Sequence, residues 1–116
     1  MGNQRDDANQ TIRIFTDGQA SVAKAVPGHA VVARGETVVW KNLTEHELRI
    51  TFPDGDEVFE NGMDRVLRIP AGELSSPARV REDARRGGHP YMGVCQDRGR
   101  AGLLVQGGSH PMIIID

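Results

Sequence analysis

The chain has 116 residues, 38% of them hydrophobic and 26% charged, with a formal net charge of −2. That length holds one domain with a real core and is too short for two. The slightly acidic balance argues against a protein that grips the nucleic-acid backbone, one cysteine excludes an internal disulfide, and no apolar run approaches a membrane-spanning helix.

Residues 1–10 are polar and lack the apolar stretch of a secretion signal, so they read as a mobile N-terminal segment ahead of a single domain over 11–116. The compartment follows from the same segment: periplasmic or secreted if a leader has been removed, cytoplasmic otherwise. Aromatic residues make up only 4%, so the core must be built mainly from Val, Ile, Leu and Ala.

From Thr11 the pattern is one of short runs broken by turn residues. Thr11 to Thr16 alternates until Asp17-Gly18 stops it. Ser21 to Val26 and Ala30 to Ala33 flank a Pro27-Gly28 turn, and Gly35 opens the best strand, Glu36 to Asn42. Leu48, Ile50 and Phe52 share one parity while Arg49 and Thr51 take the other, which is the signature of a half-buried strand. His46 has the parity of Leu48 and would point to the core side at the strand's end.

Further on, Pro53 to Asp56 reads as a solvated turn, with too few oxygens for calcium. Val66 to Ile69 runs into the turn Pro70-Ala-Gly-Glu73, and Ser76 to Arg81 reads as another strand. Ala78 to Arg86 has room for one or two helical turns, ended by Gly87-Gly88. Tyr91 to Cys95 is the next strand. Regular short strands without a long amphipathic helix predict an all-β protein, an antiparallel Greek-key β-sandwich.

Three segments, in order, carry a likeness. They are Gly35 to Asn42 followed by His46, Ile69 to Glu73 with the strand after it, and Gly88 through Tyr91 to Cys95. Together they cover about half the chain, and the chain resembles the cupredoxin (blue-copper) family. The resemblance implies a cupredoxin-like fold with His46 and Cys95 near each other at one pole. It also implies copper as cofactor, one-electron transfer as activity, and a redox partner protein.

The family's second histidine and its methionine follow the cysteine closely. Here Arg98 lies where the histidine would be and Leu103 near the methionine, and a guanidinium cannot ligate. With Gly102 to Gln106 as the closing strand, the copper site is broken. A second register closes on Ile113 to Ile115 and offers His46, Cys95, His110 and Met112, the blue-copper donor types, after a long loop.

Each residue also has a plainer reading. Cys95 is a buried small hydrophobe, His29 an exposed turn residue and His89 part of an extended His-Pro turn; His46 reads plainly as a solvated loop histidine, against which its core-side parity and Asn42 favour a ligand or a buried hydrogen-bonded role. His110 is a turn residue and Met112 is core packing. The arginines at 79, 81, 85, 86, 98 and 100 form a solvated face or a docking surface for an acidic partner.

Three functions compete: a copper-binding one-electron carrier; a copper-free cupredoxin-fold binding or accessory module; and a thiol sensor in which Arg98 or Arg100 activates Cys95. None is an enzyme, since no triad, phosphate loop or carboxylate pair is present. No nucleic-acid partner and no membrane insertion are expected, whereas the apolar Ile113 to Ile115 could pair with another copy as a homo-oligomer through a strand edge.

Overall fold

Alternating burial turns each of the apolar runs into a strand. The computed structural model describes residues 10–16, 23–60, 66–95, 103–106 (main chain) and 111–116. In chain order the strands begin with β1 (Gln10–Thr16), β2 (Ala23–Val26), β3 (His29–Val32), β4 (Thr37–Asn42) and β5 (Leu48–Thr51). A single helical turn, α1 (Gly55–Val58), is followed by β6 (Val66–Ile69), β7 (Ala78–Arg79) and β8 (Gly87–Pro90). The chain then forms β9 (Met92–Cys95), β10 (Leu103–Gln106) and β11 (Met112–Ile115). Residues 1–9, expected to be mobile, lie outside the described residues, as do Arg98, Arg100 and His110.

Two sheets face each other. The larger runs in the order β6-β5-β9-β10-β2-β1-β4-β7 and the smaller in the order β3-β11-β8. Inward positions of both build one core. Ile12, Ile14, Val38, Trp40, Leu48 and Ile50 come from the larger sheet, and Ala30, Val32, Ile113 and Ile115 from the smaller. Trp40 stands edge-on to Phe52, Phe59 and Tyr91, with ring centroids 6.2, 6.3 and 5.6 Å away, and Tyr91 stacks on Phe52 at 5.3 Å. Four of the five aromatic residues are thus spent on one central cluster, Phe15 on β1 being the exception.

The β-sandwich agrees with the alternation read in the sequence. Its pairings are mostly antiparallel, but β1 with β4, β10 with β2 and β11 with β3 are parallel. Each of these joins strands without a hairpin between them, so nothing in the connection dictates the antiparallel sense. The helical turn sits at Gly55–Val58 and not within 78–86, where Ala78–Arg79 is a strand paired with β4. Both apolar runs near the end of the chain are strands, in different sheets: β10 beside β9 and β2, β11 between β3 and β8.

His89 also departs from its sequence reading. It is 1% exposed on the inner side of β8, with Nδ1 3.1 Å from Asp54 Oδ2 and Nε2 2.7 Å from the Arg85 carbonyl. The imidazole therefore ties the turn before α1 to the segment leading into β8.

The turn into β4 depends on Gly35. Its φ is +84°, its N–H donates to the Val80 carbonyl at 2.9 Å, and a Cβ there would lie 2.6 Å from Glu82 Oε2. Gly35→Ala should destabilise the domain by about 1–2 kcal/mol, the cost of holding an L-residue in the left-handed region. Urea unfolding checks this. Gly88→Ala is the control: its Cβ would meet the flexible Met112 side chain, Sδ at 2.9 Å and Cε at 3.9 Å, so the loss should be smaller.

Candidate functional site

Asn42, the last residue of β4, is fully buried and holds one pole of the sandwich together. Its side-chain N–H groups donate to the carbonyls of His46 (2.8 Å), Ile69 (2.9 Å) and Pro70 (3.2 Å). Its Oδ1 accepts from the Thr44 N–H at 2.9 Å and from the Thr44 hydroxyl at 2.6 Å. The Pro70 to Glu73 turn locks onto the same residue: Gly72 N–H donates to the Asn42 carbonyl, and Asn42 N–H donates to Glu73. Gly72 has φ +76°, which that turn requires.

Cys95 ends β9 beside this network. It is 0% exposed and pairs with Leu48 on one side and Leu103 on the other. Its Sγ lies 3.4 Å from the Thr44 hydroxyl oxygen. That hydroxyl has one proton, for which Asn42 Oδ1 at 2.6 Å and the His46 carbonyl at 2.9 Å compete. Its oxygen in turn accepts from the His46 N–H at 3.2 Å. With the hydroxyl proton so engaged, the Cys95 S–H donates to the Thr44 oxygen.

The strand order and the cysteine pole can be set beside known structures. A purple cupredoxin from Nitrosopumilus maritimus aligns over 93% of this chain and 100% of its own, with a TM-score of 0.53 and 13% identity. The fold is cupredoxin-like. An amicyanin variant in its Cu(I) form gives a TM-score of 0.53 at 14% identity, over 97% of this chain and 86% of its own. A copper nitrite reductase from Nitrosomonas europaea gives 0.54 at 12% identity; it covers 98% of this chain but only 50% of the reductase. No protein-family model matches the sequence, and no curated protein does.

Within this cupredoxin-like fold, Cys95 and the 44–46 segment meet at one pole through Thr44, and His46 is half-buried there. Met112 is elsewhere. It pairs with His29 and Pro90 in the smaller sheet, and its sulfur lies over Gly88. Pro90 ends β8 of the smaller sheet, whereas Cys95 ends β9 of the larger, five positions on. His110 lies outside the described residues; its neighbour Pro111 accepts a hydrogen bond from the Tyr91 N–H at 3.0 Å, at the Met112 end of the strand pair. Among the described residues, no three His, Cys, Asp or Glu side chains are grouped to hold a metal ion. His29 is exposed at the start of β3.

Sequence reasoning did not single out Thr44, which joins the cysteine to the loop. The only available signal was its place between Asn42 and His46, a spacing that suits a local side-chain-to-backbone turn. Nor did it find the pairing of charges on the arginine-rich face. Arg79 lies 3.4 Å from Glu60 and 3.7 Å from Glu82, and Arg81 bonds Asp83 at 2.8 Å. Those hydrogen bonds and charges hold the Asp83 carboxyl below the usual range and raise the Arg81 guanidinium.

Proposed function

We propose that this chain is a cupredoxin-fold binding module whose cysteine pole is a hydrogen-bonded joint instead of a blue-copper centre. The observation that carries this is the pairing of Leu103 with Cys95 and Leu104 with Val94. It confines the connection between those strands to residues 96–102, which contain no imidazole, thiolate or thioether. A blue-copper site asks for two imidazoles and a thiolate, with a weak axial donor. Among the described residues the pole has one histidine and one cysteine, and an arginine such as the one at 98 cannot serve as a ligand. The Thr44 contact further supports a thiol that belongs to the fold. Nothing in this reading makes or breaks a bond on a substrate, so the module is not an enzyme.

The competing copper-carrier reading has one observation in its favour: Cys95 and the His46 segment share a pole. It needs His46, Cys95, His110 and Met112 as ligands to one copper, and so needs the chain to return from the smaller sheet to the cysteine. The thiol-sensor reading draws no support from a sulfur that is fully buried. No helix among the described residues is long and apolar enough to cross a membrane.

Titration of the purified protein with Cu(II) separates the first two readings. We expect no intense visible thiolate charge-transfer band. A band that saturates at one equivalent, is lost in His110→Ala and only shifts in Met112→Leu would establish the copper carrier in its place.

A further inference from the structure

The outer face of the larger sheet, where β6, β5 and β9 lie side by side, carries two rows of outward side chains. The register places Arg68 opposite Arg49 and Arg49 opposite Val94. The next row runs Val66, Thr51, Met92. Val66 is 43% exposed and Met92 50%. Beyond Met92 the surface dips into a cleft of about 210 Å³ lined by Pro53, Pro90, Tyr91 and Met92, nearly all of it apolar.

Two guanidinium groups directly opposite each other on neighbouring strands repel. Arg49 is balanced by Glu47 at 3.0 Å, while the side chain of Arg68 forms no hydrogen bond or ion pair with any described residue. Arg79 and Arg81, by contrast, are each matched to a carboxylate of this chain. The Arg49/Arg68 row therefore keeps an excess of positive charge next to an exposed apolar row, on a protein whose net charge is negative. A carboxylate seated between the two guanidiniums would remove the repulsion and gain charge-assisted hydrogen bonds.

We propose that this face is a docking surface for an extended, acidic segment of a partner protein. Its carboxylate bridges Arg49 and Arg68. An apolar side chain two positions along lies over Val66, Thr51 and Met92 and reaches the Pro53/Pro90 cleft. The two rows are two residues apart along the strands, about 7 Å, which is also the spacing of alternate side chains in an extended peptide. Single-stranded nucleic acid fits less well, because this face has no exposed aromatic ring for a base to stack on. The face lies on the outer side of the sheet and Cys95 points into the core, so the inference stands whichever way the copper titration falls.

The test uses the full chain, isotope-labelled for NMR, and a synthetic peptide alternating Glu with Val. Shifts confined to 49–51, 66–68 and 91–94 are expected, Tyr91 reporting the cleft. Arg68→Glu should weaken binding roughly tenfold or more, the weight of one charge-assisted contact. The same variant should raise the melting temperature, because it turns a repulsive pair into an attractive one, and should bind a Lys/Val peptide that the parent chain ignores. The proposal is overturned if the Glu/Val peptide leaves these residues unshifted, or if Glu/Val and Lys/Val peptides bind alike. It is also overturned if oligo-dT binds this face more tightly than the peptide. Concentration-dependent shifts of the same residues in the protein alone would assign the face to a second copy and overturn it as well.

Discussion

Asn42→Ala should cost about 3–5 kcal/mol of folding stability, read as a lowered urea midpoint at an unchanged slope. The side chain is 0% exposed and small, so little of the loss is packing. What is lost is the donor for three carbonyls, of His46, Ile69 and Pro70, and the acceptor for Thr44. Alanine removes all of these hydrogen bonds at once, although the His46 carbonyl keeps the Thr44 hydroxyl and the Pro70 carbonyl keeps the Glu73 N–H. Asn42→Asp distinguishes this from a volume effect. It keeps the shape and the Thr44 contacts but sets a carboxylate against three carbonyl oxygens. It should therefore be as damaging as alanine at neutral pH and less so in acid, where a protonated carboxyl can donate to one of them.

The second large effect is expected in alkali. Burial pushes the Tyr91 phenol up to about 12 from its ordinary 10, because the interior disfavours the phenolate. The Trp40 indole N–H lies close enough to offset part of that rise, yet neither Trp40 Nε1 nor Tyr91 Oη reaches hydrogen-bond geometry with any described residue. Between pH 10 and 12 the unfolded chain has released the phenolic proton and the folded chain still holds it. Stability is thus fully present below pH 10 and falls as pH rises through the folded value, by about 3 kcal/mol in total at 1.36 kcal/mol per unit. Tyr91→Phe should remove that slope and leave stability at neutral pH unchanged or slightly raised, since the buried hydroxyl makes no hydrogen bond to lose. Tyr91 is the only tyrosine, so phenolate absorbance follows its ionisation without interference. Ionisation at the ordinary tyrosine value with the fold intact would refute the account.

What could be read in advance was whatever is local. The parity of Leu48, Ile50 and Phe52, the Pro70 to Glu73 turn and the run from Tyr91 to Cys95 each declare themselves within a few residues, and each appears in the fold as read. Partners were harder. Leu103–Gln106 and Met112–Ile115 look alike as sequence, two short apolar runs after glycines, and alternation reports a strand without reporting its neighbour. They lie in different sheets, which is why a choice between them as the one closing strand was ill-posed. The helical turn at Gly55–Val58 is too short for any periodicity to register. His89 looked like half of a turn because proline follows it. Its burial depends on Asp54, thirty-five positions earlier, and no local pattern encodes such a pairing.

The place of β11 has a consequence for how the protein is made. It is the middle strand of the smaller sheet, and β3 and β8 touch that sheet only through it. Translation delivers β3 early and β8 later, but the ladder that joins them exists only once Met112–Ile115 has left the ribosome. A nascent chain paused before that point can assemble strands of the larger sheet while β3 and β8 still present open backbone edges, the state in which a β-protein is most exposed to aggregation. Closure of the sandwich therefore waits for β11, and Met112–Ile115 act as its seam.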